Sequence, residues 1–216
     1  MTKVLVISDT HSNYSLMKEI VDKYKEKGYI VIHAGDYDNM NLIPIDSGKE
    51  PIKERFDRDW IKNNINHWVK GNHDFMVKNG LFETEEHFEN FLFNSYKIFN
   101  IENVKILLSH FLDDSRKEIY YGAKKDSTVI GKDSGAFYLK EEKYNNWLNN
   151  LLATEKPNLI VTGHTHIGRF WNTNGTEVLN PGSLIYAKKP QPRGSYAVMT
   201  IDGNKIEKVK IIYLDN

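Results

Sequence analysis

The 216-residue sequence contains no cysteine, which removes disulfides, thiolate metal ligands and a cysteine nucleophile together. It has no surplus of either charge, with 29 Lys and Arg against 29 Asp and Glu. Proteins that coat nucleic acid generally carry a basic excess, so the overall charge gives no nucleic-acid signal. Arginine is scarce, at Arg55, Arg58, Arg116, Arg169 and Arg193 only, so bidentate clamps for phosphate would be few. Long apolar runs are missing as well. Val4–Ile7 is too short for a signal-peptide core and no later stretch approaches a membrane span, so a cytoplasmic protein with no membrane partner is the expectation. No repeat, low-complexity segment or linker interrupts the chain. At this length and 40% hydrophobic content, one domain over residues 1–216 is expected.

What is present begins with a short, β-branched apolar run at Val4–Ile7, bounded by a turn signal, which reads as a buried strand. Leu16, Met17, Ile20, Val21 and Tyr24 then recur at helical spacing, with Gly28 as a stop, before a second strand at Ile30–Ile32. Strand, helix, strand implies a parallel pair with a right-handed crossover. After a loop over 39–57, the pattern predicts a helix near Lys53–Asn63 and a third strand at His67–Val69. A helix is predicted over Glu85–Phe93, and Tyr96–Ile101 and Val104–Leu108 flank Glu102-Asn103 as a hairpin. Phe111–Tyr138 is polar and aperiodic, a long loop suited to a lid or a substrate wall. An amphipathic helix at Glu141–Leu152 and a buried strand at Leu159–Val161 follow. Strands are then predicted near Phe170–Asn172, Thr176–Leu179, Tyr196–Ile201 and Lys208–Tyr213, with turns at Asn174-Gly175 and Asp202-Gly203. The alternation of strands and helices, followed by hairpins, points to an α/β fold of mixed sheets with helices outside.

Chemistry-bearing residues share one placement in this pattern. Asp9-Thr10-His11 follows the first strand, Gly35-Asp36 the second, Gly71-Asn72-His73-Asp74 the third, and Gly163-His164-Thr165-His166 the strand at Leu159–Val161. His110 stands just beyond Val104–Leu108. Ligands of open α/β sheets collect at the carboxyl ends of strands, so these segments can converge in one crevice. The residue types suit a two-metal site, in which cations roughly 3.5–4 Å apart share a bridging carboxylate. Asp36 sits between the other segments and is the natural bridge. With cysteine absent, the ligands are oxygen and imidazole, which favours Mn, Fe, Ni, Co or Zn. Such a site would keep positive charge for a phosphate ester and acidify water, whose pKa falls to about 7 on metals. His73, beside Asp74, would protonate a leaving alkoxide or stabilise the transferring phosphoryl group. The glycines before Asp36, Asn72 and His164 suit tight turns through their wide φ range.

The order Asp-x-His, Gly-Asp, Gly-Asn-His-Asp, His, Gly-His-x-His resembles the calcineurin-like metallophosphoesterase superfamily over nearly the whole chain. The small size and Asn180-Pro181-Gly182-Ser183 resemble its YfcE-type phosphodiesterases. The resemblance implies a four-layer α/β/β/α sandwich of two mixed sheets flanked by helices, with two divalent metal ions, chiefly Mn. It implies that Asp9, His11, Asp36 and His166 hold one metal and Asp36, Asn72, His110 and His164 the second. His73 would be catalytic, oriented by Asp74, in hydrolysis of a phosphodiester through attack of a metal-bridging hydroxide. The partner is then a small phosphate-ester or nucleotide substrate; a homo-oligomer is compatible. Two alternatives stay open, a dinucleoside-polyphosphate (nucleotide) pyrophosphohydrolase and a metal-free scaffold like the retromer subunit of similar fold. Departures from the family pattern are the long 36–72 segment and Phe111 in place of a common glycine. Lys70 stands where Ser/Thr protein phosphatases have arginine, and Gly35-Asp36-Tyr37-Asp38 lacks their Asp-Arg-Gly ending, which argues against that activity.

Other polar residues have plainer readings. His33, inside a strand, is expected to be a hydrogen-bonded core histidine, and His67 and His87 structural or solvated. Asp38 is read as a turn residue, and Arg169 as either a phosphate contact or a surface ion pair. Tyr120-Tyr121 and Lys124-Lys125 are read as loop decoration in preference to nucleotide contacts. Asn180–Ser183 is read as a tight turn that supports the site.

Overall fold

The computed structural model describes residues 1–37, 57–71, 74, 93–112, 120–122, 136–138, 141–173, 175–185 and 194–214. The opening run extends to a strand, β1 (Thr2–Ile7), followed by helix α1 (Tyr14–Lys25) and strand β2 (Ile30–His33), which pairs parallel to β1. Helix α2 spans Arg58–Asn64. The Asp57 side chain accepts the Trp60 N–H and caps the helix, and residues 53–56, where sequence begins this helix, lie outside the described residues. Strand β3 (His67–Trp68) pairs parallel to β2. The hairpin of β4 (Tyr96–Ile101) and β5 (Val104–Ser109) forms as expected, with Glu102 at φ 52 in its turn.

Within the stretch 111–138, which sequence assigned to a loop, β6 (Tyr120–Gly122) and β7 (Ala136–Tyr138) form a small antiparallel sheet. Each is three residues long, too short for alternation to register against a polar background. Helix α3 (Glu141–Glu155), β8 (Leu159–Val161), β9 (Arg169–Thr173), β10 (Thr176–Asn180), β11 (Ser195–Asp202) and β12 (Lys205–Tyr213) complete the chain. The helix predicted at Glu85–Phe93 lies outside the described residues except for Phe93. Among the described residues no helix is long and apolar enough to cross a membrane.

Two mixed five-stranded sheets result, ordered β12-β11-β1-β2-β3 and β4-β5-β8-β10-β9. Their side chains alternate with period two. Val4, Val6, Ile32 and Ala34 of the first sheet meet Ile106, Leu108, Leu159, Val161 and Leu179 of the second in a fully buried layer. The opposite parity of the first sheet, Leu5, Ile7 and Val31, packs on Met17, Ile20 and Val21 of α1 and on Ile61 of α2. In the second sheet Leu107, Ile160 and Val178 turn outward to Leu151 of α3, joined by Phe111 and Leu112. The layers are therefore α/β/β/α, as the resemblance implies. Full burial of each such aliphatic side chain stabilises by about 1.5–3 kcal/mol, so this alternation fixes which way every strand faces. It also points the carboxyl ends of β1, β2, β5 and β8 toward one rim.

Candidate metal centre

At that rim the backbone of the first two loops interlocks. Asp9 N donates to Gly35 O at 2.9 Å, His11 N to Asp36 O at 3.0 Å, and Ser12 N to Tyr37 O at 3.0 Å. These bonds bring Asp9 and His11, at the end of β1, beside Asp36, at the end of β2. From the second sheet, His110 follows β5, and Gly163 N donates to His110 O at 3.1 Å, which seats the Gly163–His166 segment alongside.

The donors gather into two groups of three, Asp9 with His11 and His166, and Asp36 with His110 and His164. Within each group the ligand atoms lie within 4.8 Å of one another. His166 Nε2 is 3.0 Å from Asp9 Oδ1 and 3.1 Å from His11 Nε2. His110 Nε2 is 3.1 Å from Asp36 Oδ2, and His11 Nε2 is 4.0 Å from that same oxygen. Asp36 Oδ2 therefore faces an imidazole from each group. Asp9, His11, Asp36 and His110 are buried, while the His166 side chain retains 14% exposure, so the cluster opens to solvent along the Gly163–His166 side.

The atoms around the donors fix which of them faces inward. Asp9 Oδ2 accepts the Ser8 hydroxyl at 2.6 Å and the His164 N–H at 3.0 Å, which leaves Oδ1 turned to the imidazoles. His110 Nδ1 donates to Ala34 O at 2.7 Å, so its Nε2 is the nitrogen aimed at Asp36. Asp9 Oδ1 and His110 Nε2 are buried yet make no hydrogen bond. Buried polar atoms left so are rare and call for a ligand. Four imidazoles and two carboxylates, some of them orphaned and all converging, fit divalent cations of the N/O-seeking kind.

Electrostatics agree. Burial alone would push the Asp9 carboxyl up, but His166, His110 and His11 around it hold it well below its ordinary value. Burial opposes charge on His110 too; the carboxylates of Asp36 and Asp9 override it and raise that imidazole to about 9. His164 falls to about 3 through burial and the neighbouring His110. The carboxylates of Asp36 and Asp9 thus favour positive charge at this point of the cluster, in the place where a cation would serve.

The supporting residues differ in how visible they were in sequence. His33 is a buried, hydrogen-bonded core residue, as expected. Gly35 N–H donates to its Nδ1 at 3.1 Å, so the neutral ring carries its proton on Nε2 and gives it to Thr10 Oγ1 at 2.9 Å. Burial lowers its pKa to about 3. Asn180 supports the site as expected, its amide donating to Gly163 O at 2.7 Å and Thr165 Oγ1 at 3.0 Å. Ser183 Oγ donates to Asp9 O at 2.8 Å. Ser8 carried no signal, since a serine ending a strand has no pattern of its own. Wide φ explains Gly35, at φ 97, but space explains the other two glycines. A β-carbon on Gly71 would run into Asp36 Oδ1, and one on Gly163 into Ser8 Oγ. The Arg169 guanidinium stacks 3.7 Å over the Trp171 ring. His67 stacks on Phe99 with ring centroids 3.6 Å apart. Asn72, His73, Asp38, His87, Lys124 and Lys125 lie outside the described residues. Their neighbours Gly71 and Asp74 are described, and both lie against Asp36.

Residues 2–204 match the family model for the calcineurin-like phosphoesterase superfamily domain. A protein of Mycoplasma pneumoniae described as a probable metallophosphoesterase is 23% identical over 209 residues, covering 95% of this chain and 94% of its own. Among solved structures, a predicted phosphoesterase from Streptococcus pneumoniae TIGR4 superposes with a TM-score of 0.57 at 21% identity, covering 98% of this chain and 89% of that one. An archaeal phosphodiesterase superposes with a TM-score of 0.53 at 16% identity, covering 99% and 100%. A family match over nearly the full length, on a fold whose strand ends gather this set of donors, places the chain in the calcineurin-like phosphoesterase superfamily.

Proposed function

We propose that this chain, acting as one domain, is a dinuclear metal-dependent phosphodiesterase. Asp9, His11 and His166 hold one divalent ion, and Asn72, His110 and His164 hold the other. Asp36 is shared between them, and Mn is the favoured metal. The observation that supports this most is the place of Asp36 Oδ2, which faces His110 Nε2 at 3.1 Å and His11 Nε2 at 4.0 Å, as a bridging carboxylate must. When bound, the ions supply Lewis-acid charge to the phosphoryl oxygens and lower the pKa of a water nucleophile.

The chain's own residues do the rest. The protein walls around Asp9, Asp36 and His110 exclude bulk water, which strengthens every charge interaction at the site. The open Gly163–His166 side admits the ester. His73 donates a proton to the departing alkoxide oxygen, the step that a poor leaving group needs most.

Full-length protein is expected to take up two Mn2+ per chain by elemental analysis and to cleave a chromogenic phosphodiester faster than the matching monoester. On a diester with an alkyl leaving group, His73→Ala should lose on the order of 10²–10⁴-fold in turnover with metal content intact, the usual share of a general acid, and less on the chromogenic diester. Protein that binds no divalent ion would sink the proposal in favour of a scaffold. Cleavage of diadenosine tetraphosphate with no diester hydrolysis would sink the diesterase assignment in favour of a pyrophosphohydrolase.

A further inference from the structure

We propose that Asp74 is a positioning residue for Asp36, acting as a hydrogen-bond acceptor and needing no charge to do so. The inference rests on the metal reading above and gives Asp74 a task other than orienting His73. One oxygen, Asp74 Oδ2, accepts the Asp36 N–H at 2.7 Å and the Gly71 N–H at 2.8 Å. Asp74 N in turn donates to Gly71 O at 3.2 Å, closing the turn on itself.

The backbone explains why Asp36 needs such a partner. Gly35 and Asp36 take φ of 97 and 56 in succession, which turns the chain out of the β2 ladder. The carbonyls of both residues are used by the first loop, from Asp9 N and His11 N. The Asp36 amide is left pointing at the third loop, where Asp74 receives it. The Asp36 carboxylate meanwhile lies over the bare α-carbon of Gly71, close enough that a β-carbon there would come within 2.6 Å of its Cγ. The backbone of Gly71 is thus the floor beneath the shared carboxylate, and Asp74 pins floor and carboxylate-bearing residue to the same oxygen. Loss of that acceptor would let Asp36 drift relative to His110 and His11. Ligands that lose such outer support typically bind metal about 10–100-fold more weakly.

A carboxamide oxygen has two lone pairs and can accept the same two N–H groups, so the conservative variant separates acceptor from charge. Metal-free wild type, Asp74→Asn and Asp74→Ala would be checked for folding by thermal midpoint and then titrated with Mn2+ by calorimetry. Asp74→Asn should stay within about threefold of wild type, and Asp74→Ala should lose about 10–100-fold in both binding steps, since Asp36 is shared between them. Weakening of both steps while the metal-free variant keeps a thermal midpoint near wild type separates positioning of Asp36 from general loosening. Asp74→Ala with both steps at wild-type strength overturns the proposal, as does Asp74→Asn with metal uptake as weak as a deletion. If Asp74→Ala does not fold, the Asp74→Asn result alone decides. Wild-type protein that binds no Mn2+ overturns instead the metal reading on which the proposal rests.

Discussion

Asp9 (φ 51), His11 (φ 46), Asp36 (φ 56), His164 (φ 67) and His166 (φ 61) all hold left-handed backbone, where a β-carbon crowds the carbonyl oxygen. Each costs on the order of 1–2 kcal/mol and persists only where surrounding bonds over-determine it. Here they do: Asp9 and His11 donate to the second loop, His164 N–H is taken by Asp9 Oδ2, and Ser183 holds Asp9 O. The same crowding sets a residue-scale prediction at Gly163. A β-carbon there meets Ser8 Oγ first, then Asp9 Oδ2 at 2.8 Å and His110 Nδ1 at 3.0 Å. Gly163→Ala should lower stability by about 1–3 kcal/mol, the usual cost of overpacking, and reduce metal content by displacing the Asp9 carboxylate. Adding Ser8→Ala removes the nearest obstacle, so the double variant should melt higher than the sum of the two single changes predicts. Strict additivity in thermal midpoints would show that Ser8 is not what Gly163 makes room for.

At the scale of elements, the third loop is delivered to the site by α2 and β3, and α2 owes its start to one side chain. Asp57 accepts the Trp60 N–H at 2.9 Å and lies 3.6 Å from Lys18 of α1. Asp57→Ala should cost about 1 kcal/mol, read as a lower denaturation midpoint. Asp57→Ser keeps a capping hydroxyl and gives up only the exposed ion pair with Lys18, so it should recover most of the loss. Equal losses in the two variants would assign the effect to the ion pair. This start point was hard to see in sequence, since a single-residue cap decides it and the apolar period runs on past it. Elements with strong local grammar were legible. Val4–Ile7 gave β1 through four β-branched or aliphatic residues in a row, and Glu102-Asn103 and Asp202-Gly203 gave their hairpins through turn chemistry. β3 was legible too, at His67–Val69 in sequence against His67–Trp68 in the structure, but the β6–β7 pair was not: Tyr120–Gly122 is strand because Ala136–Tyr138 pairs with it. The donors were legible because each follows a strand. The clamp Ser8 and the contact of Asp74 Oδ2 with Asp36 were not, because such hydrogen bonds leave no periodic trace.

For the whole molecule, the decisive fact is that neither sheet owns the cluster. The first sheet supplies Asp9, His11 and Asp36, the second supplies His110, His164 and His166, and both groups draw from each. Cation binding would therefore tie the sheets together at the rim, and binding free energy would appear as folding stability. The pH dependence follows from the shifts. His110, raised to about 9 by Asp36 and Asp9, stabilises the metal-free fold fully below pH 6.5, and that contribution is lost as pH rises through 9. His33 and His164, lowered to about 3 by burial, stay neutral when folded. The unfolded chain takes up their protons as pH falls from 6.5 toward 3, and stability drops across that window. Metal-free protein should therefore melt highest near pH 6.5. A divalent ion must displace the His110 proton to bind, so its affinity should rise about tenfold per pH unit between 6.5 and 9. The gap between loaded and metal-free thermal midpoints should widen over that range, at fixed excess of metal. A gap that stays constant from pH 6.5 to 9 would mean that His110 holds no proton for the metal to replace, and that the two carboxylates tolerate each other without a cation between them.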